Sequence, residues 1–331
     1  MGGLNLSNKD ILKRLDEGVV LGDGGYIVEL EQRGYVVTGA FTPEISLIYP
    51  EAVRELHFEM KLAGCEVLQV MAFYGSREKL NTTGYGDKVF EINSAATNIA
   101  KEVAGDELFV AGDLSTTWMW DKDDNKNDSL VADMFDEQIN AQKGVDFVIG
   151  ELFFSLGEAL ICLDRIKKKS GVPSMITMSY RANNVSGDGF TAAECARQLN
   201  KAGCDIVGIN CMNDPEHMYP LIKEMRSSFD GYFAAQPVAY RCTDEVPWFT
   251  GQPGFPDKLE PFHINRFELG QFATKAKDMG VNYIGGCCGC KATHMREMAK
   301  VLGKYEDESN WKKTGSAMSE TEYSKDVRNS Q

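Results

Sequence analysis

The sequence is short of positive charge: 35 Lys and Arg stand against 49 Asp and Glu, giving a formal net charge of −14 and a pI near 4.9. A nucleic-acid groove or an anionic membrane surface needs clustered Lys and Arg, so neither is expected as a partner, and a small molecule is. No stretch approaches the roughly 20 consecutive apolar residues of a membrane span. The opening "MGGLNLSNKDILKRLDEG" has neither the apolar core nor the cleavage site of a signal peptide. The cytoplasm is the expected location. A GxGxxG dinucleotide fingerprint is missing too, because the first strand–helix turn reads "LGDGGYIVEL".

What is present suits a globular α/β protein. The 331 residues are 43% hydrophobic, and the length allows either two ordinary domains or one α/β barrel. Eight apolar runs, at 19–24, 66–74, 108–114, 145–153, 174–179, 205–211, 232–238 and 281–288, alternate with amphipathic stretches such as "PEAVRELHFEMKLAG" and "TAAECARQLNKAG". That alternation implies right-handed βαβ units and a parallel sheet. The runs are too apolar to leave a face in water, so a closed (β/α)8 barrel, a TIM barrel, is expected ahead of a doubly wound open sheet. Residues 1–303 form the expected catalytic barrel, and the polar stretch 304–331, with its lone Trp311, reads as a tail or an arm laid on a neighbour. The charged segment 120–129 reads as a solvated connection.

Nine cysteines in a reducing compartment are not expected to pair as disulfides. Cys65, Cys162, Cys195 and Cys204 fall within or just after helical patterns and read as packing residues. "VNYIGGCCGC" at 281–290 is different: Cys287 and Cys288 are adjacent where a strand runs out, and Gly285, Gly286 and Gly289 free the backbone to turn both toward one point. In a barrel the strand ends share one face, where they would gather Asp23, Tyr74, Asp113, Glu151, Asn210 with Cys211, Gln236, Cys287 and Cys288. Three thiols from two strands suggest Zn²⁺ with one open position. Core packing and a redox pair, including Cys287 with Cys290, remain alternatives, and a bystander role is expected for Cys290. Zinc held by three thiolates is a poor source of hydroxide but is suited to binding and ionising a fourth thiol, which points to alkyl transfer.

The pairing of "GINC" with "IGGCCG" resembles the zinc-dependent homocysteine S-methyltransferases. "LGDGGYIVELEQRGYV", "FTPEISLIYPEAVRELHFEMKLAG", "AFYGSREKL", "VDFVIGE", "AAQPVAY" and "LEPFHINRFELG" are similar to the betaine–homocysteine branch, over residues 10 to 303. The resemblance implies zinc on Cys211, Cys287 and Cys288. It also implies homocysteine binding by Asp23 and Glu151, with Gly24 and Gly25 allowing close approach, and assembly as a homo-oligomer. Glycine betaine is the first donor it implies. Relatives that use betaine surround the cation with aromatic rings, yet here Phe41 stands where that branch has Trp and Leu152 where it has Tyr, while Phe73 and Tyr74 are retained. The altered walls bring in a sulfonium donor such as dimethylsulfoniopropionate as the alternative. Trp248, on a long loop, is either a cover for the donor or a loop anchor.

Overall fold

The computed structural model describes residues 9–37, 43–124, 126–181 and 184–305; the expected tail beyond 305, with its Trp311, lies outside them. Each of the eight apolar runs contains a strand: β1 Val20–Leu21, β2 Val67–Gln69, β3 Phe109–Ser115, β4 Phe147–Phe153, β5 Ser174–Met178, β6 Ile206–Asn210, β7 Tyr232–Gln236 and β8 Tyr283–Ile284. All pairings are parallel, in the order β1-β8-β7-β6-β5-β4-β3-β2. Helices follow the strands and wrap the sheet, as a (β/α)8 barrel requires. No described helix is long and apolar enough to cross a membrane.

The side-chain period of two sorts each strand into an inner and an outer set. Inward-facing Val20, Val67, Phe109, Phe147, Met175, Ile206, Ala234 and Tyr283 form one buried cluster, and Ile11 and Leu15 of the helix Ile11–Asp16 plug its lower end. Asp10 caps that helix through the Leu12 and Lys13 amides. The outer set packs in a second, larger cluster against the surrounding helices. Two or four residues further along the same inward column the apolar layer gives way to Gln69, Asp113, Glu151, Thr177, Asn210 and Gln236, all buried. The strand register therefore stacks a polar layer on an apolar one at the carboxyl end.

Closure between β1 and β2 relies on carboxylates as well as backbone. Glu66 donates its amide to Leu21 O at 2.8 Å and accepts the Leu21 amide on Oε2 at 3.0 Å. Asp23 Oδ2 takes the Gln69 amide at 2.7 Å, standing where a neighbouring strand's carbonyl would be. Glu66 is held in turn by Arg14 at 2.5 Å and Lys304 at 2.6 Å. Glu66→Ala would strand the Leu21 amide and two cations at a half-buried seam, so we expect a loss of about 2–3 kcal/mol in urea unfolding. A loss under roughly 0.5 kcal/mol, the scatter of surface substitutions, would show that the seam closes without it.

Candidate active site

β6 ends at Asn210, and the next two residues, Cys211 and Met212, adopt left-handed backbone at φ 58° and 55°. That turn swings the Cys211 thiol over the barrel mouth. β8 ends at Ile284, after which Gly285 and Gly286 carry the chain across the "DGG" turn: Gly286 N donates to Asp23 O at 2.8 Å, and Gly25 N to Cys290 O at 2.9 Å. A Cβ on Gly24 or Gly25 would collide with the backbone at Cys290 or at Cys287 and Cys288, so both glycines are needed for this loop-on-loop packing. The result brings the sulfurs of Cys211, Cys287 and Cys288 within 4.8 Å of one another, with Cys211 and Cys288 at 3.8 Å. Thiolates 2.3 Å from a tetrahedral ion are separated by about 3.8 Å, so the trio fits a soft divalent metal. Cys288 ionises most readily, because the Cys211 and Cys287 thiols hydrogen-bond to its sulfur. Cys290 points elsewhere: its thiol is fully buried against Pro237 O and pushed up to about 12 by burial. Cys65, Cys162, Cys195 and Cys204 are buried core residues.

Below the sulfurs lie three buried acids. Glu151 accepts from Gln69 Nε2 at 2.8 Å and from Asn210 Nδ2 at 2.6 Å. Asn210 also takes the Leu152 amide (3.0 Å) and the Thr177 hydroxyl (2.8 Å) on its Oδ1, bracing the β4 register shift where Leu152 adopts φ 60°. One amide thus fixes both the acid and the irregular backbone that presents it. Asp23 Oδ2 accepts the Tyr26 hydroxyl at 2.6 Å in addition to the Gln69 amide. Because Tyr26 spends its only proton there, His57 Nδ1, 2.9 Å from the tyrosine oxygen, must donate to it. Burial holds His57 neutral, with its pKa down to about 3. Asp113 has an Oδ1 with no hydrogen-bond partner. Burial raises Asp23 to about 6 and Asp113 to about 8. Burial, then the neighbouring Asp113 charge, drives Glu151 well above the usual carboxylate range.

These groups face a cavity of about 440 Å³. Glu151, Asp113, Gly24, Gly25, Cys211, Cys287 and Cys288 are on its wall, whereas Asp23 sits just behind it, only 1% exposed. Of the residues expected around the donor, Phe73, Tyr74 and Leu152 line the cavity. Phe41 lies outside the described residues, and Trp248 is not on the wall. Trp118, Phe249 and Phe255 are, and the sequence reading passed them over. Trp118 lies two residues before the charged segment 120–129, and Phe249 adjoins Trp248. For Phe249 and Phe255 the available signal was an aromatic residue close to Gly or Pro in a loop after a strand; Trp118, in "STTWMWD", carries no such mark. Tyr74 and Trp118 also adopt left-handed backbone, at φ 59° and 62°. Such strain in non-glycine residues concentrates at functional sites.

Residues 20–302 match the family model for homocysteine S-methyltransferase. The chain belongs to the homocysteine S-methyltransferase family. Within it the similarity is to the betaine–homocysteine branch: betaine–homocysteine S-methyltransferase 1 of Bos taurus is 39% identical over 318 residues, covering 91% of this chain and 76% of the relative. S-methylmethionine–homocysteine S-methyltransferase of Pongo abelii is 35% identical over 306 residues, covering 89% and 82%. Among solved structures, the metallated form of the homocysteine methyltransferase MmuM from Escherichia coli superposes with a TM-score of 0.70 at 15% identity, covering 87% of this chain and 98% of that one. At that identity the likeness is one of fold. A homocysteine S-methyltransferase is an S-methyltransferase whose acceptor is a thiol, and in this one a thiol cluster and a carboxylate floor share a single cavity.

Burying Asp113 with one oxygen unpartnered and no cation paired to it among the described residues costs stability whenever it is charged. The penalty grows from its ordinary value of 3.8 up to about 8 and is constant above that. Asp113→Asn is therefore expected to raise the melting temperature of the substrate-free protein, by an amount that increases from pH 5 to pH 8. A gain equal at the two pH values, or a loss at pH 8, would contradict the assignment.

Proposed function

We propose that the protein transfers a methyl group from an onium donor to the sulfur of L-homocysteine, giving L-methionine. Glycine betaine, yielding dimethylglycine, is the first donor, and a sulfonium such as dimethylsulfoniopropionate the alternative. The observation that carries the reading is the coincidence, in one 440 Å³ cavity, of a thiol trio spaced for a tetrahedral metal with buried carboxylates that pair with no cation among the described residues. Cys211, Cys287 and Cys288 would hold zinc, which when bound supplies the Lewis acidity that ionises a substrate thiol at neutral pH.

The chain's own residues do the rest. Glu151 takes the ammonium of homocysteine directly, and Asp23, engaged by Tyr26 and Gln69, adds negative charge behind it. Each buried acid needs a cation to make its charge tolerable, which favours the ammonium over water. The rings of Phe73, Tyr74, Trp118, Phe249 and Phe255 supply faces for the donor's positive head, at about 0.5–2 kcal/mol per good contact. The thiolate sulfur attacks the methyl carbon as its bond to nitrogen or sulfur breaks, the electron pair leaving with the demethylated donor. Anion and cation both vanish in that step. A wall that excludes water therefore raises the charged reactants relative to the less charged transition state, and alignment contributes further.

Cys211→Ala should reduce bound zinc from about one ion per chain to a small fraction and abolish methionine formation, as read by atomic emission and chromatography. A zinc-free Cys211→Ala protein with full turnover would refute the proposal. Offering homocysteine with glycine betaine, dimethylsulfoniopropionate and S-methylmethionine separates the donors. Activity with S-methylmethionine alone would rule out the betaine assignment while leaving the acceptor in place.

A further inference from the structure

The cavity wall carries a cation that the reaction as described does not use. Lys79, on the short helix Arg77–Asn81, is the wall's single basic residue among those described. Its Nζ lies 4.7 Å from the centroid of the Tyr74 ring, while the Tyr74 hydroxyl is in the field of Cys211, Cys288 and Glu151. Tyr74 thus has the ammonium on its ring and the thiols and acid near its hydroxyl. Arg77, on the same helix, is turned away and satisfied by Glu137 and by Gly86 O at 2.7 Å. No ion pair involves Lys79 among the described residues, and burial lowers its pKa.

A free positive charge is a poor neighbour for a purely cationic donor. At a few ångströms, in a partly dry pocket, the repulsion is unfavourable unless the donor also carries an anion. An onium whose tail ends in a carboxylate resolves the conflict. Its positive head takes the aromatic faces nearer the thiols, and its negative end meets the ammonium. We propose that Lys79 is the counter-ion for the donor's carboxylate, so that the site selects zwitterionic onium carboxylates over onium ions with uncharged tails. The assignment rests on the onium-donor reading above and names the half of the donor that reading leaves without a partner.

The test compares donors on the zinc-loaded full chain at saturating homocysteine: glycine betaine and dimethylsulfoniopropionate, which bear a carboxylate, against tetramethylammonium and trimethylsulfonium, which do not. Lys79→Met should raise KM for the carboxylate donors at least tenfold, with the loss falling on KM rather than kcat. It should leave KM for homocysteine in place and shrink the preference for carboxylate donors by the same factor. Lys79→Arg should recover most of the affinity. An unchanged donor KM in Lys79→Met, or an equal rise for all four donors as a packing defect would give, overturns the assignment while the methyl-transfer reading stands. A wild-type protein that uses neither these four nor S-methylmethionine overturns both, whereas activity with S-methylmethionine alone overturns the Lys79 assignment and leaves methyl transfer in place.

Discussion

Buried negative charge is the constraint on which this molecule depends. At the carboxyl end of the barrel Asp23, Asp113 and Glu151 are buried close beneath three thiols, and Lys79 is the single basic residue on the described wall. An arrangement of that kind is unfavourable as it stands. The acids respond by holding protons, so that Asp113 reaches about 8 and Glu151 goes well beyond the usual range. The thiols respond by sharing hydrogen bonds around one ionised sulfur. A soft dication and a substrate ammonium relieve both problems, which is why the geometry reads as a site that binds cations before it does chemistry.

Holding so much unfavourable charge in place needs rigid support, and it comes from amides. Gln69 gives its backbone N–H to Asp23 and its side chain to Glu151, and Asn210 joins Glu151 to the β4 irregularity. Neither amide titrates, so both donors stay in place as the acids gain or lose protons. Cys211, Leu152 and Tyr74 all follow or interrupt strands with left-handed backbone. Each departure turns a side chain from the barrel wall toward the common centre, and the packed barrel beneath tolerates the strain.

On the donor side the family relationship is less restrictive. The relatives include proteins named for betaine and for S-methylmethionine. The wall here combines aromatic rings with a lysine ammonium, so recognition of the donor is shared between ring faces and a charge. Trp118 and Phe154 meet in a tilted ring contact at 5.4 Å, with Arg181 over Phe154 at 4.4 Å, extending the aromatic rim beyond the cavity.

The fold class was legible in the order of residues, because hydrophobic periodicity and helix-ending glycines are local properties. All eight runs contain strands, and Gly64 and Gly203 adopt the positive φ that a helix stop asks for. The thiol trio was legible as well, since adjacent cysteines between glycines fit no regular strand. Asp113 at the mouth was legible too, from its place at the end of the third run. Two things were decided by tertiary structure alone: Asp23 withdrew behind the wall because Tyr26 and Gln69 both donate to its oxygen, and the aromatic wall took in residues from loops after β3 and β7 whose paths no local pattern specifies. Periodicity tells a chain which side of a strand faces inward. Which side chains meet there depends on the register between strands and on the loops that cross them, and those are settled only when distant segments pack.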